Sequence, residues 1–458
     1  MLCIALLITL AYVVARYNTG AVVRPASSNI GTPIRSADLQ ECVEIIKTQH
    51  LSSHGLINVL KMAESRARPN QRLVVAFGVN NCFTTSDHDR CQKFRNQVVP
   101  KLKVDFGKWK LTAASVKGVV QNELRRSDQV FNLSAVVRMV TLKSVLHPLL
   151  EFDTARVDVD DSIRCIAEEI NKQCVRSKDY DKSAPDQPDW AFPNQIELRD
   201  ALSAVFPVPW TKAFRNRMLQ AISTVIPQLK AGEGLENPLN LILPGYETVW
   251  RVVLRCFVEL TARSHPNATV WSNSLQAFSN NPTRDQLEGK TVAGAAVSAS
   301  NIAREALRLY PPTRRIHREY QKEDGSTIVV AADIEAMQRD PAAWGEDALT
   351  FRPERWQNIS YKEGEAPNFL PFGGKPFSCP ARQRHGSGEA PFGVSMIALL
   401  VGALVAETSG KWEVVGSLPK VGVPLDTDRD AHDDLVLRRL PVLDGTGVSP
   451  SAKPVTSI

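Results

Sequence analysis

Hydrophobic residues recur at helical spacing through most of the chain. Long patterns of this kind run between Gln40 and Glu236, where a proline-rich stretch at Ser183–Pro193 breaks them. Glu259–Ala306 and Phe392–Glu407 are again largely helical in pattern. Apolar residues that return every three or four positions mark one buried face of a helix, so the pattern predicts a fold built mainly of helices.

Strand-like patterns are short and few. Gln71–Phe77 and Thr327–Val330 have the apolar, β-branched character of strands, and the second follows a turn at Gly325. No repeat period is visible, and no Gly/Ser linker divides the chain. The sequence therefore predicts a mostly α fold with minor β structure.

A proline interrupts the apolar helical stretch Leu239–Val253. Pro244 has no N–H to give to the carbonyl of Asn240, so the helix is expected to kink or open there. The hydroxyl of Thr248 can bond back to its own backbone and widen the gap. Glu247 stands beside it, and an acid next to an alcohol can relay protons. The alternative is a kinked core helix with a hydrogen-bonded threonine.

The segment Ala303–Pro312 is predicted to be a helix closed by a pair of prolines. Glu305 and Arg308 are three residues apart and share one face of this helix, where they can pair. Arg355 lies in the aromatic, proline-fixed loop Phe351–Trp356 and could complete a charge cluster with them. A surface salt bridge is the alternative, since such pairs are common. A buried cluster would fix chain positions, because removal of one member would leave the others unpaired.

Cys379 ends a glycine-rich turn, Leu370–Ala381, that precedes a long apolar helix. Gly373 and Gly374 can adopt positive φ and would let the backbone approach a flat group closely. Backbone N–H groups that face the sulfur would stabilise its negative charge. This arrangement suits a buried iron-thiolate. The alternative is a structural loop with a buried free cysteine.

The order and spacing of these motifs resemble the cytochromes P450. Glu305-x-x-Arg308, Phe351–Trp356 and Phe372–Cys379 are similar to the three signatures of that family, and Gln338–Ala348 resembles the segment before the second signature. The resemblance is firm from about Leu241 to Thr408 and thin before that. It implies the P450 fold, with one haem-containing unit.

The resemblance also implies a set of site residues around haem b. Cys379 would be the axial ligand of the iron, and such a thiolate favours O–O cleavage. Glu247 and Thr248 would deliver protons to bound oxygen. The remaining implied residues are the cofactor-binding Phe372, Gly373, Arg318 and Arg95, and the structural ion cluster of Glu305, Arg308 and Arg355.

Two positions in the cysteine loop depart from the family pattern. Lys375 stands where the family usually has glycine, and Phe377 stands where it has a basic residue that pairs with a haem propionate. Lys375 or an arginine elsewhere could replace that contact, and the family often supplies one at the positions of His317 and Arg318. Arg318 is favoured, because a guanidinium forks onto a carboxylate. Arg95 occupies the position of a second propionate partner, with Cys91 where the family has tryptophan. A solvated basic helix face is the alternative for Arg95.

Composition and charge are compatible with this interpretation. The chain has 458 residues, 43% of them hydrophobic, and can bury a large core. Its net charge of +6 is spread among acidic residues and does not indicate a nucleic-acid partner. The 8 cysteines show no C-x-x-C spacing, which argues against zinc or iron–sulfur sites.

The first fifteen residues, Met1–Ala15, form an uncharged apolar run that is followed by Arg16 and Arg24. Positive charge after such a run keeps the rest of the chain on the cytoplasmic side. We therefore expect a short membrane anchor at 1–15, a linker at 16–38, a catalytic domain at 39–445 and a tail at 446–458. The expected location is the endoplasmic reticulum membrane, with the catalytic domain facing the cytoplasm. A cleaved export signal is the alternative.

The predicted function is that of a haem-thiolate monooxygenase, which inserts one oxygen atom from O2 into a small lipophilic substrate. Electrons would come from NADPH through NADPH-cytochrome P450 reductase, because no flavin or nicotinamide motif appears in the chain. Membrane lipid is a further expected partner, and secondary-metabolite biosynthesis is the expected setting. One alternative is a haem-thiolate isomerase or dehydratase that needs no reductase. The other is a degenerate, non-catalytic haem-binding relative.

Overall fold

Helices make up most of the computed structural model, as the hydrophobic pattern predicts. The model describes residues 33–126, 129–180, 188–206, 237–289, 297–357, 359, 368–382, 388–425, 429 and 432–441. The helices in these ranges are α1 (Leu39–Lys47), α2 (Met62–Ala67), α3 (Gln71–Phe77), α4 (His88–Leu102), α5 (Phe106–Arg125), α6 (Leu133–Leu150), α7 (Asp160–Arg176), α8 (Ile196–Val205), α9 (Leu239–Ile242), α10 (Trp250–Thr261), α11 (Ala268–Asn280), α12 (Arg284–Glu288), α13 (Ala299–Leu309), α14 (Ile334–Met337), α15 (Pro341–Trp344) and α16 (Phe392–Thr408).

The described strands form two small sheets. They are β1 (Ile34–Ser36), β2 (Val130–Asn132), β3 (Arg315–Gln321), β4 (Thr327–Asp333), β5 (Trp412–Val415) and β6 (Val436–Arg439). One sheet has the order β1-β4-β3 and the other β2-β6-β5. In the first, β3 and β4 pair antiparallel with Arg318 opposite Val330. The predicted strand at Thr327–Val330 is confirmed, and the turn before it contains Gly325 with φ of 81°.

The predicted strand at Gln71–Phe77 is wrong, because these residues form α3. A short apolar run fits either a strand or a buried helix. Here the helix ends on Gly78, whose φ of 59° is a left-handed cap. The last carbonyls of α3 accept hydrogen bonds from side-chain amides. Gln195 donates to Ala76 O at 2.8 Å and Asn237 donates to Phe77 O at 2.9 Å. These contacts between distant parts of the chain do not appear in the local pattern.

Helix α16 lies at the centre of the core and is apolar on all sides. It packs against α5, α10, α11 and α13, and such an all-round apolar pattern is typical of a buried helix. Its N-terminal Phe392 packs on Trp109 of α5, with ring centroids 5.7 Å apart. The helix predicted at Phe392–Glu407 is thus confirmed, and it lies C-terminal to the cysteine loop in the chain.

Most described residues belong to one compact unit, residues 35–458, and the other unit is 1–34. The predicted anchor at 1–15 and tail at 446–458 lie outside the described residues. Within the described ranges one helix, α6, is long and apolar enough to cross a membrane, with 78% of its span buried in the protein. Such burial is also typical of a core helix, so α6 is weak support for a membrane span.

Gly-to-Ala substitution is expected to have opposite effects on stability at two helix glycines. At Gly402 the helix α16 lies close to α11, whereas Gly118 of α5 has open space around it. A Cβ at Gly402 would lie 2.3 Å from the backbone oxygen of Leu275. We expect Gly402→Ala to lower the free energy of unfolding by about 1–3 kcal/mol through overpacking. At Gly118 of α5 nothing lies within 4 Å of an added Cβ. Gly118→Ala should therefore raise stability by up to about 1 kcal/mol. Denaturant unfolding of both variants measures this, and a Gly402→Ala protein as stable as the parent would contradict the packing.

Candidate functional site

The loop that carries Cys379 is a tight turn closed by its own backbone. The N–H of Cys379 donates to the carbonyl of Phe372 at 2.9 Å, and the N–H of Gly373 donates to Leu370 O at 2.9 Å. Gly373 has φ of 69°, which confirms the predicted left-handed conformation at that position. Gly374 is not left-handed, so the same prediction is wrong there. Its nearest neighbour is the side chain of Ile46, at 3.5 Å from an added Cβ.

The sulfur of Cys379 lies in a partly buried position and receives a backbone hydrogen bond. Burial raises the pKa of this thiol, and the N–H of Ala381 lowers it by donating to the sulfur. An amide donor of this kind stabilises thiolate charge, as the sequence analysis expects. Phe372 packs against the start of α16, where a Cβ at Gly393 would lie 2.8 Å from its ring. The loop is thereby joined to the core helix.

The predicted ion cluster is present and buried. Arg308 donates to the carboxylate of Glu305 from Nε at 2.9 Å and from Nη2 at 2.8 Å. Arg355 Nε donates to the same carboxylate at 3.0 Å, Trp356 Nε1 at 2.9 Å and the backbone N–H of Arg352 at 2.9 Å. Glu305 and Arg308 are 0% exposed. The alternative of a surface salt bridge is therefore wrong.

Gln338 links this cluster to the cysteine loop, a role that the sequence analysis does not assign to it. Its side-chain amide donates to the carbonyls of Leu307 and Arg308, at 3.0 Å each. Its Oε1 accepts the N–H of Leu370 at 2.8 Å, where the loop begins. Arg308 in turn donates to the backbone oxygen of Gln338 at 3.1 Å. The position of the loop thus depends on the position of α13.

The interrupted stretch between α9 and α10 opens as the sequence predicts. Leu243–Glu247 is wound as a π-helix, a form found frequently at functional sites. The hydroxyl of Thr248 donates to the carbonyl of Pro244 at 2.6 Å, which confirms the expected back-bond. Gly245 is needed for close contact with α6, because a Cβ there would lie 2.7 Å from Leu149.

The structure pairs Glu247 with an arginine. Its carboxylate accepts from Arg429 on one oxygen and from Trp250 Nε1, at 3.1 Å, on the other. Each oxygen keeps a further lone pair. Glu247 and Thr248 are adjacent in the chain, but no hydrogen bond joins their side chains among the contacts of the described residues. The role of both in proton delivery stays a prediction.

The two arginines that the sequence analysis assigns to propionates have different surroundings. Arg318 on β3 is 4% exposed and donates to the carbonyls of His317 at 2.9 Å and Ile46 at 3.2 Å. Burial, together with the charge of Arg66, lowers the pKa of Arg318 to about 9. Arg95 is exposed on α4. Its assignment stays a prediction, and this exposure favours the alternative of a solvated helix face.

A third arginine, Arg66, is absent from the sequence-based assignment and is buried beside the loop. It is 4% exposed, and its Cζ lies 3.7 Å from the ring centroid of Phe377, while the Cζ of Arg318 lies 5.9 Å from the same centroid. Within the described ranges, neither arginine lies within ion-pair distance of a carboxylate. The Nε of each is buried without a hydrogen-bond partner. A group with negative charges fits here, and the two propionates of haem are such charges.

Comparison with known proteins identifies relatives for part of the chain. Residues 299–382 match the family model for cytochrome P450. Cytochrome P450 monooxygenase claQ of Ampulloclitocybe clavipes is 30% identical over 145 residues, which are 27% of this chain and 26% of that protein. Alkane hydroxylase MAH1 of Arabidopsis thaliana is 30% identical over 152 residues, covering 31% of this chain and 28% of that protein. The matched segments thus span little more than a quarter of either relative.

A solved structure extends the likeness beyond these segments. A 6-coordinated cytochrome P450 from Thermus thermophilus superposes with a TM-score of 0.51 at 13% sequence identity. The superposition covers 83% of this chain and 88% of that one. At such low identity the likeness concerns the fold alone. The predicted fold class, mostly α with minor β and of the P450 type, is confirmed.

The buried cluster predicts a large difference between two glutamate substitutions. Glu305→Gln removes the charge that two buried arginines share, and we expect it to lower the free energy of unfolding by about 3–5 kcal/mol. The control is Glu413→Gln on β5, whose pair with Arg438 at 2.8 Å is largely exposed. That change should cost about 0–1 kcal/mol. Chemical denaturation compares them, and equal losses would contradict a dominant role for the cluster.

Proposed function

We propose that this chain, which matches the cytochrome P450 family model over residues 299–382 and has a P450-type fold, acts as a haem-thiolate monooxygenase on a small lipophilic molecule. The observation that carries the proposal is the loop of Cys379, with its sulfur bonded by the N–H of Ala381 and its first residue held by Gln338. Haem bound at this cysteine would supply dioxygen activation, which an axial thiolate promotes.

The residues of the cysteine loop and Arg318 of β3 are the ones that would hold such a cofactor. Cys379 would ligate the iron, while Phe372 and Gly373 shape the turn that brings the backbone close to it. Arg318 is buried without a carboxylate partner in the described part of the chain, and its guanidinium can fork onto a propionate.

Thr248 and Glu247, at the end of the π-helical segment, are proposed to move protons. The Thr248 hydroxyl gives its hydrogen to Pro244 O, and its oxygen lone pairs stay available to a water molecule in the helix opening. Glu247, held by Arg429 and Trp250, supplies a fixed negative charge that orients such a water. Proton delivery of this kind depends first on geometry.

The proposed electron source is NADPH, through a separate cytochrome P450 reductase at the endoplasmic reticulum membrane. Support comes from the apolar run Met1–Ala15, which is followed by Arg16 and Arg24. The fungal relative claQ is a cytochrome P450 monooxygenase by name. Secondary-metabolite biosynthesis is the proposed setting.

Substitution of the proposed ligand tests the assignment directly. Cys379→Ser should abolish the absorption band that reduced thiolate-ligated haem gives with carbon monoxide, and with it NADPH-dependent turnover. The control, Cys165→Ser, changes a partly buried cysteine on α7 and should keep both. Difference spectra and circular dichroism on the two purified variants make the comparison. A normal band in the Cys379→Ser protein would refute the proposed ligand.

Removal of the threonine hydroxyl tests proton delivery. Thr248→Ala should lower the rate of product formation by roughly a hundredfold, the scale of a positioned proton transfer, while NADPH consumption continues. Thr261→Ala is the matched control, because its hydroxyl makes the same back-bond, to Phe257 O at 2.7 Å, one helix segment further on. Product formed per NADPH consumed is the quantity to measure. Unchanged coupling in Thr248→Ala would exclude this role.

A further inference from the structure

We propose that Arg66 binds a haem propionate in place of the basic residue that Phe377 has replaced, and that the Phe377 ring positions its guanidinium. The inference rests on the proposed function, since it takes haem as the occupant of the site. It names a residue of this chain, on a short helix far from the three sequence signatures. It also gives the substitution at Phe377 a physical role.

Burial without a carboxylate is the first observation behind this proposal. Arg66 lies in the last turn of α2 and is 4% exposed. Its Nη2 donates to the sulfur of Cys91 at 3.3 Å, and its Nε has no partner. A thiol is a weak acceptor and cannot neutralise a guanidinium. A buried charge of this kind is costly unless an anion compensates it. The described part of the chain supplies no such anion to Arg66.

The second observation is that another arginine stands beside the same ring. Arg318 is equally buried, and within the described ranges it too has no ion-pair partner. Like charges that lie close together repel each other, and burial, together with the charge of Arg66, lowers the pKa of Arg318. Arg66 and Arg318 are two buried cations beside one ring, with no carboxylate partner in the described ranges. A ligand with two negative charges would compensate both. Haem b brings two propionates.

The Phe377 ring gives Arg66 a fixed place. The guanidinium carbon lies 3.7 Å from the ring centroid, well within the range of a cation–π contact. Phe377 stands two residues before Cys379, so the ring ties Arg66 to the loop that holds the iron ligand. Arg95, by contrast, is exposed on α4. Arg66 is therefore better placed than Arg95 to be the second propionate partner.

Loss of haem from the holoenzyme tests the proposal. The rate of haem transfer to excess apomyoglobin should rise roughly 10- to 100-fold in Arg66→Gln, the effect of one lost charge-assisted hydrogen bond. Arg438→Gln removes an exposed arginine on β6 and should change this rate by no more than about twofold. Adding Phe377→Arg to Arg66→Gln returns a guanidinium to the loop and should recover most of the loss.

Exchange of the bound haem for its dimethyl ester shows whether the carboxylate is the partner. The ester lacks both propionate charges, so the wild-type and Arg66→Gln proteins should lose it at rates within about twofold of each other. An Arg66→Gln protein that loses haem at the wild-type rate overturns the proposal. An equally large effect with haem and with the ester also overturns it, because Arg66 would then act through packing.

Two further measurements keep the test decisive. If Arg66→Gln does not fold, Arg66→Met replaces it, because it also removes the charge, and haem loss at the wild-type rate from that protein overturns the proposal. The carbon monoxide band separates this inference from the proposed function. Arg66→Gln should keep the thiolate band while it loses haem faster, whereas failure of the ligand assignment would remove the band from the wild type itself.

Discussion

The carboxylate of Glu305 is the interaction on which the rest of the site depends. Two buried arginines, one indole and one backbone N–H converge on it. The side chains of Glu305, Arg308 and Arg355 are at most 5% exposed, so each charge depends on the others for compensation. Through Arg308 and Gln338 the network reaches Leu370, where the cysteine loop begins. A buried ion network of this kind adds little net stability for its size, but it allows only one arrangement of α13 and the loop.

In the part of the chain that the structure describes, the surroundings of the cysteine loop contain unpaired positive charge, whereas the arginines of the Glu305 cluster are paired. Glu305 satisfies its arginines within the protein, whereas Arg66 and Arg318 flank Phe377 without a carboxylate in the described ranges. One side of the loop is therefore complete in the chain alone, and the other has an excess of positive charge. This asymmetry is what a scaffold with a separate anionic cofactor requires. The excess positive charge lies between β3, α2 and the cysteine loop.

Features that depend on short spacing are predictable from the sequence. Glu305 and Arg308 share a helix face, Pro244 must open its helix, and the Thr248 hydroxyl can reach only a few carbonyls. Features that depend on distant contacts are not. Gln71–Phe77 forms a helix because Gln195 and Asn237, more than a hundred residues away, bond its carbonyls. Arg66 gives no local signal either, since its partner Phe377 is recognised only when the fold brings the two together.

The helix opening at Leu243–Glu247 combines three devices, each with its own cause. Pro244 removes one backbone donor, Gly245 allows the opened turn to press against Leu149 of α6, and Thr248 takes the Pro244 carbonyl with its hydroxyl. Because the hydroxyl hydrogen is already committed, Thr248 faces the opening as an acceptor. Glu247 is likewise held by Arg429 and Trp250. Under the proposed function, a proton would therefore arrive on water that these two groups orient, and the rigidity of the segment would matter more for its delivery than the acidity of either side chain.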